Sequence, residues 1–513
     1  MNRTLHCAGL LLALAGAGSA EAASYLVLGR SGSNAQVLQQ RIEATAGGRM
    51  ARALPGLLTF VVQSDDAAYP ARLRAVTGVQ YVALDRSFSL GEPHAEPLAR
   101  DAAEAATQMQ QALAGGAPRA LAGGAPRALA GGAVDQVLLA GNPLYRMQWA
   151  VRDVQAPGAW TRGYSGNGVR VAILDSGIAC GNAWLAPNID FAAAASFVPG
   201  ESVCVHPGFY FNHGTHVAGI VAALPSSFGT VGIAPGATLM PVKVLSEYTG
   251  SGAFSWVLAG IVHAADRGAD VINMSLGAYP LNVTDPDTQA YLLVFGRAAD
   301  YANARGAAVI VAAGNDVAQL GAGGDVGVPA SAPGMITISA SGPAGWATGN
   351  PGYAWLDYLA DYSDYGPPIA NAGPGGTLWY AYLNPGQNCT VAGFTRNCYV
   401  FDLVLSTIPG GWSWAAGTSM ATPAASAVAA LAIERGRATS GANLSPLSLA
   451  RFRLTQADFV RGVLQSSSVD RGSRARDPYF GYGRVDADHA SDAFYRAPLS
   501  PPPATPVYPP YVP

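Results

Sequence analysis

The chain has 513 residues, of which 50% are hydrophobic and 12% charged, with a formal net charge of −3. That length carries several folding units and a large core, and charged residues stand at about half their usual share. With no basic stripe and no block of like charge, nucleic-acid binding finds no support.

The N-terminal MNRTLHCAGLLLALAGAGSAEAA places Arg3 ahead of a short apolar run and then small residues. That is the pattern of a secretory signal over residues 1–22, cleaved near Ala20 or Ala22. The run is too short to span a membrane, and no other segment is long enough, so no membrane span is expected. The expected location is secreted or periplasmic. Removing the signal and its Cys7 leaves Cys180, Cys204, Cys389 and Cys398. An even count in an exported chain suggests two disulfides. Of three connectivities, local pairing as Cys180–Cys204 and Cys389–Cys398 is expected; free buried thiols are the alternative.

Residues 24–90 alternate in type. SYLVLG, LLTFVVQS and VQYVALDRSFSL read as strands, and NAQVLQQRIEATAG and YPARLRAVTG as the helices between them. This β-α-β-α-β stretch predicts a small α+β domain. Residues 91–142 hold the repeats ALAGGAPR at 112–119 and 120–127, whose Gly and Pro density predicts a flexible linker. From about residue 143 to 495 a second pattern runs. VRVAILD, TLMPVKVL, ADVINMSLG, AAVIVAAGN and MITISAS are near-continuous apolar runs separated by helical stretches such as GAFSWVLAGIVHAADRG. Such runs predict an α/β fold, a parallel sheet with helices on both faces. Residues 343–413, rich in Gly, Pro, Tyr and Trp, read as irregular surface excursions, one of them pinned by Cys389 and Cys398. The tail 496–513 is proline-dense and reads as extended.

Sites in parallel sheets gather at the carboxyl ends of strands. Asp175, Ser275 and Asn315 stand at such ends. A lone Asp there is more often a turn or cap residue. NHGTHVAGIVAAL carries His213 and His216, three apart at a helix start. The zinc-protease pattern needs two His four apart with a Glu between, and that Glu is absent. His213 as general base, with Gly214 admitting a close neighbour and His216 structural, is the better reading; two capping histidines are the bland one. Asn315 could donate to an oxyanion or simply occupy a turn. Ser419 begins the apolar helix SMATPAASAVAALAIERG, as an N-cap or as a nucleophile, with Pro423 placed in the first turn.

Taken together, VAILDSGI, HGTHVAGIVAA, AAGN and GTSMATP resemble the signature segments of the subtilisin-like serine proteases, the subtilases, in the order Asp, His, Ser. GIAPGA, TGSG, MSLG, VPASAPGMITISA, YSDYG and FGYGRVDA agree. The resemblance implies that Asp175 orients His213, that His213 takes the proton of Ser419, and that Ser419 attacks a peptide carbonyl. Asn315 and the Ser419 N–H would hold the oxyanion. Gly250, Ser251 and Gly252 on one side, and Ser275, Leu276 and Gly277 on the other, would flank an extended substrate. The pocket for the residue before the scissile bond would be walled by 275–277 and by Ala313, Gly314 and Asn315, with Gly327 near its base. Broad cleavage after apolar residues is the expectation, although Asp316 and Asp325 leave basic residues open. Residues 24–90 would be a propeptide, an intramolecular inhibitor cut off within the linker.

The expected partners are protein or peptide substrates and the chain's own propeptide. The resemblance implies no cofactor for catalysis. Structural calcium lacks a clear site. In the loop 223–232 Ser226, preceded by Pro225, replaces an Asn ligand and the acidic partner is missing. Asp285/Asp287 or Asp357/Asp361 remain as alternatives. Where family members carry His after the Pro of GTSMATP, this chain has Ala424 and Ala425. Two rival readings are an inactive subtilase-fold binding module and a zinc hydrolase using His213 and His216.

Overall fold

The computed structural model describes residues 22–90, 94–97, 134–206, 211–349, 356–439 and 455–492. The expected signal up to residue 21, the ALAGGAPR repeats and the proline tail lie outside them.

The N-terminal unit is a four-stranded antiparallel sheet with two helices on one face. Its strands are Ala23–Gly29, Arg49–Leu54, Thr59–Ser64 and Val79–Leu84, and its helices Ala35–Glu43 and Tyr69–Arg74. Arg49–Leu54 was not among the expected strands. It is an edge strand, half exposed and carrying Arg49 and Arg52, and charge on an edge hides the apolar signal while it deters further pairing. The period-2 alternation of the other strands sorts two cores. Val27, Phe60, Val62 and Val82 face the unit's own helices. Leu26, Leu28, Val61 and Ala83 face the large domain and join its core.

That domain is built on an eight-stranded sheet. Along it run Tyr358–Leu359, Ile336–Gly342, Ala308–Ala312, Val271–Met274, Arg170–Asp175, Thr238–Lys243 and Ala195–Ser196, and Ile369–Pro374 also pairs with Ile336–Gly342. Every pairing is parallel except that of Tyr358–Leu359. The inner strands Val271–Met274 and Ala308–Ala312 are wholly buried, as the runs VINM and AVIVA require. The helices Phe254–Asp266 and Pro286–Ala304 cover one face, and His213–Ala222 and Thr418–Thr439 the other.

The N-terminal unit sits on the first pair. Asp85 accepts from Ser255 N (3.0 Å), Asp287 from Leu84 N (3.1 Å), and Arg297 donates to Gly29 O (2.9 Å). Asp285 caps Pro286–Ala304 and pairs with Arg86, while Asp357 pairs with Arg471 and Arg484. These acids, suggested above as calcium ligands, are therefore engaged with protein partners. No group of three or more potential ligands is found among the described residues, and no helix among them is long and apolar enough to cross a membrane.

Residues 343–413 are more ordered than expected. Besides the sheet strand Ile369–Pro374, they contain the hairpin Asn388–Val391/Phe394–Asn397 and the strand Val404–Ile408, which pairs with Gly411–Ala416. The linker region likewise contains the strand His94–Pro97, which pairs with Ser413–Ala416, and the helix Gln136–Ala140. Both disulfides pair as expected, Cys180–Cys204 and Cys389–Cys398. The first closes a span of 24 residues and ties Cys180 to Cys204, which also pairs with Ile178, three residues after Asp175, in an isolated β-bridge. Replacing both Cys180 and Cys204 by Ser is expected to lower unfolding stability by about 3 kcal/mol in denaturant titration, on loop entropy.

Candidate active site

Asp175 is the last residue of its strand and fully buried. His213 is the first residue of the helix His213–Ala222, capped by Asn212, whose Oδ1 accepts from Thr215 N at 2.8 Å. The His213 Nδ1 lies 2.9 Å from both carboxylate oxygens of Asp175. Gly214 permits this approach, since a Cβ there would lie 2.1 Å from Gly177 O and 3.1 Å from the Asp175 side chain. Ser176, unassigned from sequence, braces the pair: its Oγ accepts from Gly214 N (3.2 Å) and Asn212 Nδ2 (3.0 Å).

His216 lies one turn behind, fully buried, with Nε2 donating to Ser413 O at 2.9 Å. Burial drops its pKa to about 3, so the ring is neutral. The two histidines thus turn to different partners, and the zinc-hydrolase reading has no shared ligand point.

Ser419 is the second residue of the helix Thr418–Thr439. Its backbone N–H is in the first turn, where helical N–H groups lack an intrahelical acceptor. The helix begins earlier relative to Pro423 than expected, which puts Pro423 in the second turn. There a proline removes the bond to the carbonyl four residues back, that of Ser419. Ser275 Oγ fills the vacancy, donating to Ser419 O at 2.8 Å. In return the Ser419 hydroxyl donates to Ser275 O at 3.3 Å. No hydrogen bond joins Ser419 to His213 among the described residues, but both line one cleft of about 480 Å³. Hydroxyl–imidazole contacts of this kind commonly tighten only around substrate. Ala424 and Ala425 are buried in the core of the helix's sheet face.

Asn315 lies on the same cleft. Thr418, another residue not assigned from sequence, fixes its orientation: Thr418 N and Oγ1 both donate to Asn315 Oδ1 at 2.9 Å. That leaves the amide hydrogens as the free end. Thr418 Oγ1 also accepts from Gly314 N at 3.2 Å.

The remaining expected residues divide. Leu276, Gly277 and Gly314 line the cleft, as does Asp316. Ser275 acts from behind Ser419, and the cleft wall is formed by Ala312 where Ala313 was expected; Ala313 is buried and bonds Ile338 O. Asp325 contributes no wall and lies by Asn282. The strand Ser251–Ala253 is occupied: it pairs antiparallel with Ser87–Ser89, and Leu90 N donates to Gly250 O at 3.1 Å. Phe88, Ser89 and Leu90 themselves line the cleft.

Residues 166–483 match the subtilase family. The chain belongs to the subtilase family. Subtilisin of Bacillus pumilus is 32% identical over 344 residues, covering 67% of this chain and 98% of the relative. Subtilisin E of Bacillus subtilis is 34% identical over 288 residues, covering 56% of this chain and 61% of the relative. In fold, this subtilase is similar to a lanthipeptide protease (TM-score 0.53, 25% identity, 68% of this chain and 94% of that one). It is also similar to an epidermin leader peptide processing serine protease of Staphylococcus aureus (TM-score 0.62, 20% identity), whose whole length it matches over 93% of its own. Subtilase chemistry needs no cofactor.

Proposed function

We propose that this subtilase is an exported serine endopeptidase, made as a zymogen, that hydrolyses peptide bonds through an acyl-enzyme on Ser419. The observation that carries the reading is the Asp175–His213 pair, 2.9 Å apart, opening on the cleft that also holds Ser419 and Asn315. Asp175 holds Nδ1–H and leaves Nε2 to take the hydroxyl proton. Ser419 Oγ then attacks the peptide carbonyl, and the Asn315 amide and the Ser419 N–H receive the developing oxyanion. His213 returns the proton to the leaving amine, and water, activated the same way, releases the acyl group.

The segment after the N-terminal unit supports the zymogen reading: the strand Ser87–Ser89 occupies Ser251–Ala253, one of the expected substrate-flanking strands. Two disulfides favour an oxidising compartment. Labelling with a fluorophosphonate probe tests the chemistry. The probe should label wild type, with chelators having no effect on activity. A chain that resists the probe after release of the N-terminal unit would be the inactive binding module instead. Asn315→Ala should lower kcat by about 10²- to 10³-fold with KM little changed, read in steady-state peptide hydrolysis.

A further inference from the structure

Tyr279 lines the cleft that holds His213, Asn315 and Ser419. It lies on the strand Ala278–Asn282, which pairs directly with Asp325–Val328. Its ring lies against three glycines, of which Gly277 and Gly314 also line the cleft. A Cβ on Gly277 would fall 2.2 Å from Tyr279 Oη and one on Gly327 2.3 Å from Cε1, while one on Gly314 would meet Asp364 Oδ2 at 2.1 Å and Tyr279 Cδ1 at 2.8 Å. The Oη donates to Ala312 O at 2.6 Å. So the bare backbones of Gly277 and Gly327 accommodate the protein's own phenol, and the carbonyl of Ala312, a residue of the cleft wall, is taken by its hydroxyl.

We propose that Tyr279 determines specificity by filling the primary pocket, so that the enzyme cleaves after residues with small side chains, glycine, alanine or serine. This rests on reading the cleft as a peptidase site, and it replaces the expectation of broad cleavage after apolar residues. A phenyl or isobutyl group would have to displace a ring packed on glycine backbones and break its partly buried hydrogen bond to Ala312 O.

The chain's own path agrees. Ser87–Ser89 enters the cleft along Ser251–Ala253, with Phe88 stacked on Phe254 at 5.4 Å. His94–Pro97 leaves along Ser413–Ala416. Between Leu90 and His94 the sequence reads Gly91-Glu92-Pro93, in which Gly91 alone is small. The first self-cleavage is therefore assigned to the Gly91–Glu92 bond.

The test uses processed enzyme, titrated with the fluorophosphonate probe, on peptides that vary only in the residue before the scissile bond. Wild type should prefer alanine or glycine over phenylalanine or leucine by about 10²-fold in kcat/KM. Tyr279→Ala should remove most of that preference, and Tyr279→Phe, which keeps the ring, should retain it. The N-terminal fragment first released by wild type should end at Gly91 by mass. Wild type that takes the probe yet cleaves phenylalanine and alanine peptides equally, or a fragment ending at Leu90, overturns the proposal while leaving the peptidase intact. Failure of the probe to react overturns the peptidase reading, and this inference with it.

Discussion

Ser419→Ala should leave the chain unprocessed and lower peptide hydrolysis by about 10⁶-fold, the scale set by loss of a triad nucleophile. The substitution is structurally mild. The hydroxyl makes a single 3.3 Å bond to Ser275 O, and the reciprocal Ser275 bond goes to the backbone carbonyl, which alanine keeps. A full-length product with an unchanged thermal midpoint therefore isolates chemistry from folding. His213→Ala should fall about as far, and the double variant hardly further, because the two act as one unit. Intact mass and casein hydrolysis read both outcomes. Normal self-processing in Ser419→Ala would sink the acyl-enzyme mechanism.

The parallel strands were legible because burial on both faces leaves few polar residues to interrupt the run, as in Ala308–Ala312. Ile369–Pro374, IANAGP, is equally buried but read as loop. A Cβ on Gly373 would lie 2.7 Å from Ala421 O, so this strand packs directly on the backbone of the Ser419 helix and needs small residues with no strand propensity. At the site, Asp175, His213, Asn315 and Ser419 were legible through the short motifs around them. Thr418 and Ser176 stand inside those motifs, but their work is to orient a neighbour, which no spacing reveals. Tyr279 was illegible for a different reason. An aromatic on a strand usually fills core, and the proposal that it fills a substrate pocket rests on its packing against the backbones of Gly277 and Gly327 beside the cleft.

Arg484 presents the same difficulty on a larger scale, and replacing it is expected to have the largest effect on stability. FGYGRVDA reads as a family segment, yet the partners of Arg484 come from distant parts of the chain. The buried guanidinium lies 3.0 Å from Asp357, 3.4 Å from Asp153 and 3.6 Å from Asp486, and Arg471 holds the other oxygen of Asp357 at 2.6 Å. Burial works against the charge on Arg484, but the three carboxylates outweigh it and raise its pKa above the ordinary value. Asp153 shows the strain from the other side: burial pushes its carboxyl well above the usual range, and attraction to Arg484 only partly offsets this. Arg484→Leu would leave Asp153 and Asp486 buried without their cation, and breaking a buried ion pair in this way destabilises by about 3–5 kcal/mol. The deficit should grow with pH. A carboxyl whose folded pKa is raised adds stability fully below its unfolded value, and that stability is lost as pH rises through the folded one. Urea titration at pH 5 and pH 8, in the Ser419→Ala background to prevent self-digestion, reads both the size and the slope. Converting Asp153 to Leu alongside Arg484→Leu should recover part of the loss by removing a stranded charge. A single variant as stable as its parent at both pH values would mean that the network contributes nothing to holding the helix Trp149–Asp153 against the chain's last sheet-bound segment.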